Sequence, residues 1–175
     1  MKEFAHNKKL TEKYEFRDIR PQEAEQATRI EQICFPPNEA CSPKHIAERT
    51  VKASETFLVA VDRESGKLAG FLNGLATNEH VFRDEFFTDI TLHDPQGVNI
   101  MLLGLDVLPE HRGQGLATEI VSCYLEREQA RGRKGIFLTC LEGKVKMYQK
   151  MGFTDCGISG SVWGGEEWHD MKYML

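Results

Sequence analysis

The chain has 175 residues, 28% charged and 41% hydrophobic, which suits one globular domain over residues 1–175 with a sizeable core. A formal charge of −5 argues against a nucleic-acid partner and only weakly favours cationic small molecules. The cysteines at 34, 41, 123, 140 and 156 are odd in number and form no CxxC pair; they read as free thiols of a reducing cytoplasm, with neither disulfide nor metal expected. Met1–His6 carries no apolar signal segment, and no apolar run approaches the ~20 residues of a membrane span.

Lys8 to Thr11 reads as a polar lead-in, and Tyr14 to Ile19 alternates as a strand. Pro21 opens a helix with Ala24, Ala27, Ile30 and Ile33 on one face, ending before Pro36-Pro37. Ser42-Pro43 makes an N-cap and first-turn pair for a short helix to about Lys52. Phe57–Val61 and Leu68–Ala76 form a hairpin around Gly66. Asn78–Gly97 reads as mostly polar and irregular, with a turn of helix near Phe86. Ile100–Val107 is a buried strand, and Gln114–Arg131 a helix with Leu116, Ile120, Cys123, Tyr124 and Arg127 on one face, stopped by Gly132. A strand at Ile136–Leu141, a helix at Lys144–Met151 ended by Gly152, a strand from Phe153, a loop at Gly164-Gly165 and a strand at Trp168–Met174 complete the order. This β-α-α-β-β-β-α-β-α-β-β order is mixed α/β, with a parallel crossover beside the glycines at 113 and 115.

That glycine segment, Val107-Leu108-Pro109-Glu110-His111-Arg112-Gly113-Gln114-Gly115-Leu116-Ala117-Thr118, carries the most information. A buried strand runs into a turn, and small residues open a helix. Uncovered first-turn N–H groups and the helix dipole suit a phosphate, and Arg112 adds charge. The bland alternative is a surface turn whose glycines serve geometry. The pattern is neither GxxxxGK[ST] nor GxGxxG. Arg112-x-x-Gly115-x-Ala117 resembles the acetyl-coenzyme-A signature of the GNAT acetyltransferases. Tyr148-Gln149-Lys150-Met151-Gly152-Phe153, closing a short helix, resembles that family's second hallmark. The resemblance covers nearly the whole chain. It implies the GNAT acyl-CoA N-acyltransferase fold: a central, mostly antiparallel sheet with one parallel strand pair and flanking helices.

The same resemblance implies acetyl-CoA as co-substrate, held by Leu105, Asp106, Val107, Arg112, Gly113, Gln114, Gly115, Leu116, Ala117 and Thr118. It makes Tyr148 the acid that protonates the leaving thiolate; the alternative is a packed phenol that serves only a hydrogen bond. Within the family the chain resembles the arylalkylamine N-acetyltransferase branch, through Thr91-Leu92-His93-Asp94-Pro95-Gln96-Gly97, Gly104-Leu105-Asp106-Val107 and the stretch Ile33 to Ser42. The last also resembles polyamine-acetylating members. It places an acceptor loop at Phe35 and Pro36, flanked by Glu31 and Glu39.

Two departures matter. Where the animal enzymes carry paired histidines on the central strand, this chain has Met101 and Leu103. Leu141 stands where many members have an asparagine. Glu31, Glu39, His80, His93 and His169 remain as candidate bases, none ranked first; Glu31 has the alternative of a solvated helix charge, and Glu39 that of reading the substrate ammonium. With so little internal base, kcat/KM for an amine is expected to climb well above neutral pH. His111 is expected to be exposed beside Arg112, Asp106 to act through its backbone, and Cys140 to be core. The expected activity is acetyl transfer to a small primary amine, arylalkylamine or polyamine, by direct attack in a ternary complex. Acetylation of a protein N-terminus or lysine, and an acyl-CoA-binding module that no longer catalyses, are the alternatives. A homodimer stays open.

Overall fold

In the computed structural model, which describes residues 1–175, apolar alternation sorts the strands onto two cores. On Phe57–Asp62, the side chains of Phe57, Val59 and Val61 join one core, and those of Leu58 and Ala60 the other. Along the chain the elements are α1 (Lys8–Lys13), β1 (Tyr14–Asp18), α2 (Ala24–Cys34), α3 (Pro43–Lys52), β2 (Phe57–Asp62), β3 (Leu68–Thr77), β4 (Asn99–Val107), α4 (Leu116–Ala130), β5 (Gly135–Cys140), α5 (Glu142–Lys150), β6 (Thr154–Ile158) and β7 (His169–Met174). Short 3₁₀ turns at Asp84–Phe87 and Ile90–Leu92 fill the connection from β3 to β4.

The strands form one sheet in the order β1-β2-β3-β4-β5-β7-β6. Only β4 and β5 run parallel, with α4 as their crossover; every other neighbouring pair is antiparallel. Helices α4 and α5 cover the face carrying Leu58, Leu72, Ile100 and Leu138. Helices α2 and α3 cover the face carrying Phe57, Phe71, Leu75 and Met101. The expected mixed architecture with one parallel pair is therefore present.

Four local expectations are corrected. Lys8–Lys13 is a helix rather than a lead-in, capped by the Asn7 side chain on the Lys9 N–H and anchored by buried Leu10. Ile33 is 58% exposed; the inner face of α2 runs through Ala27, Ile30 and Glu31 instead. On α4 the buried stripe is Leu116, Ile120, Val121, Tyr124 and Leu125, whereas Cys123 and Arg127 are half-buried, Arg127 pairing with Asp18. The segment from 78 to 97 is irregular but not simply polar: Phe82, Phe86 and Phe87 are buried in the second core.

One irregularity positions everything that follows. The register of β3 against β4 slips between Asn73 and Gly74, which face Gly104 and Leu102, so Leu103 is an extra residue. A bulge of this kind reverses the alternation beyond it. Before it, Met101 lies on the α2 side; after it, Leu105 packs on the α4 side and Asp106 on the α2 side.

Candidate functional site

β4 pairs with β5 only over Asn99–Met101 against Gly135–Phe137. Beyond that, β4 stays with β3 and β5 with β7, and the two parallel strands part. A cavity of ≈ 450 Å³ fills the gap, walled by Leu102–Leu105 on one strand and by Leu138–Cys140 on the other with Leu141 just after it. Its lining is mostly apolar, as small-molecule sites usually are.

At the mouth, Gly113 and Gly115 take φ of +80° and +89°, a region open to glycine at little cost. They turn the chain so that the N–H groups of residues 113 to 118 find no acceptor within the protein; the first helical bond is Glu119 N–H to Gly115 O at 3.1 Å. This row of free amides lies at the positive end of the 15-residue α4. Gly113, Gly115 and Thr118 are exposed, and Ala117 lines the cavity. Two predicted ligands have their side chains committed elsewhere. Gln114 donates to the Tyr14 hydroxyl (2.8 Å) and the His111 carbonyl (2.9 Å), and Leu116 is buried in the core. Arg112 folds back, its Nε donating to the Val107 carbonyl at 2.8 Å, so its charge sits where β4 meets the cavity rather than over the glycines. His111 is half-buried against Tyr14 at 2.6 Å, not freely exposed.

Tyr148, on α5, lines the cavity from the side opposite β4. Phe153 holds its ring edge-to-face at 5.6 Å, and no protein group hydrogen-bonds its hydroxyl. Burial raises the phenol's pKa, and the neighbouring acidic groups Cys140 and Asp106 oppose its ionisation further, so it keeps its proton across the neutral range. Cys140 also lines the cavity, its thiol pushed up to about 12 by burial and then by Asp155, which leaves no thiolate for a covalent route.

Glu31, Phe35, Pro36 and Glu39 line the same cavity. Sequence reading missed Phe87, Trp163 and Trp168, which complete this wall. Trp163 stacks on Phe87 with ring centroids 4.4 Å apart and donates to the Glu39 carbonyl at 2.8 Å. Trp168 donates to the Trp163 carbonyl, also at 2.8 Å, and Asn38 Nδ2 to the Gly164 carbonyl at 3.1 Å. Burial, and then Glu166, raise the pKa of Glu39. The only available signal was two tryptophans in a polar, glycine-rich stretch, where nothing but a wall or an interface needs them.

The histidine candidates lie elsewhere. His93 is buried against Glu55 at 2.6 Å and accepts from the Ala76 N–H at 3.0 Å, at the end of the sheet where β4 begins. His80 is exposed beyond β3, and His169 pairs with Asp155 at 3.2 Å. None lines the cavity. Two carboxyls meet instead. Glu31 is 2% exposed and Asp106 fully buried. The Asp106 side chain, expected to act only through its backbone, lies beside that of Glu31, with both of its oxygens buried and without a donor. A Cβ at Gly104 would lie 3.1 Å from Asp106 Oδ1 and 3.4 Å from Glu31 Oε1, so a side chain there would crowd the pair. Burial raises the pKa of Asp106 well above the usual carboxyl range, and the Glu31 charge raises it further.

Comparison with known proteins follows from this geometry. The model of the acetyltransferase (GNAT) family matches residues 23–153. No curated protein sequence matches. Among solved structures, the loading GNATL domain of CurA from Lyngbya majuscula superposes with TM-score 0.77 at 14% identity, over 92% of this chain and 97% of that one. The ribosomal-protein-S18-alanine N-acetyltransferase of Escherichia coli gives 0.68 at 16%, over 93% and 94%. A phosphinothricin acetyltransferase from Sinorhizobium meliloti, in complex with AcCoA, gives 0.64 at 16%, over 93% and 89%. At these identities the likeness is one of fold.

The buried carboxyl has a measurable consequence for stability. The folded pKa of Asp106 lies above the ~3.9 of an unfolded aspartate, so the stabilisation its proton gives is complete below that value. It is lost as pH rises towards the folded pKa. Asp106→Asn carries no such proton. Its melting temperature should therefore gain on that of the wild type as pH rises from 4 to 8, as thermal unfolding at each pH would measure. A constant difference would show that Asp106 folds ionised.

Proposed function

The chain belongs to the acetyltransferase (GNAT) family, and on that footing we propose that it moves the acetyl group of acetyl-CoA onto a small primary amine, an arylalkylamine before a polyamine. The observation that carries the reading is one cavity walled by a protonated phenol, aromatic side chains and the carboxyls of Glu31 and Glu39, with Arg112 and Ala117, at either end of the free-amide turn, on its border. The pyrophosphate belongs on the amides of residues 113 to 118, with Arg112 adding charge where the arm enters. The acyl arm follows the edge of β4 that β5 leaves, along Leu105 to Val107, whose backbone polarises the carbonyl. The acceptor enters beside Phe35, Phe87, Trp163 and Trp168, which suit a flat apolar body better than a flexible cation.

In this ternary complex the ammonium first loses a proton, since an alkylamine has a pKa of ~10.4 by analogy with lysine. The amine nitrogen attacks the thioester carbon, a C–N bond forms and the C–S bond breaks. Tyr148 gives its hydroxyl proton to the departing sulfur and regains one from the nitrogen as it becomes an amide. The products are the acetylated amine, coenzyme A thiol and the proton first removed. The arylalkylamine assignment is the finer part of the proposal. The acceptors named for the fold neighbours, a ribosomal-protein alanine and phosphinothricin, do not choose between amines.

A thiol-release assay over arylalkylamines, polyamines and N-terminal peptides tests the reading directly. Arylalkylamines should turn over fastest, and Phe35→Ala should raise KM for the amine severalfold while leaving KM for acetyl-CoA nearly unchanged. Preferred turnover of peptides would overturn the small-amine assignment, and coenzyme binding without thiol release from any acceptor would overturn the enzyme. Tyr148→Phe should lower kcat by about 10²–10⁴-fold, the usual worth of general acid catalysis, with acetyl-CoA binding kept. Wild-type turnover at every pH would remove the acid role. Gly115→Val puts a β-branched residue at φ +89°, at a strain of about 1–3 kcal/mol, and shields the amide row. Assayed below its lowered melting temperature, it should show no thermal stabilisation by coenzyme A, where the wild type does.

A further inference from the structure

Three buried oxygens receive no hydrogen bond from any N–H or hydroxyl of the protein: Oε1 of Glu31, which borders the cavity, and both oxygens of Asp106. Oε2 of Glu31 accepts from the Cys41 N–H at 2.9 Å. A buried carboxylate without donors is costly, and two ionised ones side by side more so. The remaining partner for each is the other, through a proton that one of them retains.

The surrounding charges fit that state. Arg49, on α3 and 3% exposed, donates to Asn73 Oδ1 (3.1 Å), the Phe87 carbonyl (2.7 Å) and Cys41 Sγ (3.5 Å). Asn73, on β3, passes on to the Gly104 carbonyl at 3.3 Å. One buried guanidinium thus stands behind two carboxyls, and one shared proton makes the group neutral. The other titratable groups facing the pair leave this balance unchanged near neutral pH. Cys41 is pushed up to about 11 by burial, Cys34 on α2 is raised by burial, and Tyr148 across the cavity is raised as well. Arg112 faces Cys34 at 3.5 Å, and Glu39 lies farther along the loop.

We propose that Glu31 and Asp106 hold one proton between them and form the acceptor-side base that the strand's Met101 and Leu103 do not supply. Glu31, which borders the cavity, is the catalytic residue: it takes the proton of the substrate ammonium. Asp106 does not border it and is a positioning residue: it shares its proton with the Oε1 edge of Glu31, while the Cys41 N–H fixes Oε2. The proton balance closes. The pair begins with one proton and one negative charge, receives the ammonium proton to become neutral, and releases it to solvent through the cavity mouth after the amide leaves. The assignment rests on the amine reading above.

The test pairs two isosteric variants with a readout independent of turnover. Infrared spectroscopy of the wild type at pH 7 should show a protonated carboxyl band that disappears in Asp106→Asn; its absence from the wild type would overturn the shared proton. Glu31→Gln should lower kcat/KM for the amine by about 10²–10⁴-fold, with the residual rate climbing with pH as the free amine becomes available. Its thermal shift with coenzyme A should equal that of the wild type. In Asp106→Asn an amide N–H replaces the shared acid proton as the donor to Glu31, and it is the weaker of the two. The acidic limb of kcat/KM should move to higher pH, an effect that a purely structural role would not produce. Normal amine turnover with an unmoved profile in both variants would overturn the base role alone. No amine turnover by the wild type, with the infrared band present, would overturn the amine reading and the base role with it.

Discussion

The parting of β4 from β5 after three residue pairs is the constraint on which the rest of this molecule depends. Parallel strands need a long crossover, and α4 provides it; its start must lie at the carboxyl end of β4, where the strands separate. The cavity, the amide row and the exposed edge of β4 are thus consequences of one topological choice. Because β5 is bonded to β7 along its length and β4 to β3, the gap does not weaken the sheet.

The bulge at Leu103 is the second determinant. Without the extra residue, unbroken alternation would put Asp106 on the α4 side, among Leu102 and Val121, where an acid finds no partner. With it, the carboxyl reaches Glu31, and Arg49 compensates the charge from the helix behind. Buried ionic groups of this kind rarely stabilise a fold relative to apolar packing. Their retention here is consistent with use in the reaction rather than in stability.

Much of this was legible in the residues. The order of strands and helices along the chain follows from apolar runs and glycine turns; that Arg112, Ala117, Tyr148 and Phe35 line one cavity is a product of the fold, which spacing alone does not give. The bulge was not legible, because Ile100-Met101-Leu102-Leu103 is apolar whichever side chain faces which core. Nor was α1, a polar hexad held by one cap and one buried leucine. The solvated alternative for Glu31 fails: Ile33 lies off the inner stripe, Ala24, Ala27, Glu31 and Cys34 share a helical face, and an acid on that stripe is the available sign of a buried charge. The histidines misled for a similar reason: sequence shows which groups can titrate, and only packing shows that His93 is spent on Glu55.

The walls of the cavity differ in kind. On the donor side they are a strand edge and a helix start, fixed by the backbone ladder of the sheet. On the other side, where the acceptor is proposed to enter, they are two surface loops from opposite ends of the chain, joined by Trp163 to Glu39 and Asn38 to Gly164. Sequence drift in those loops leaves the ladder untouched. On the proposed reading, the fold is a chassis in which acceptor choice can be rewritten by exchanging two short segments together, while the strand edge and helix start for the activated acyl group are inherited whole. The two hydrogen bonds that clasp the loops mean that neither can diverge far alone.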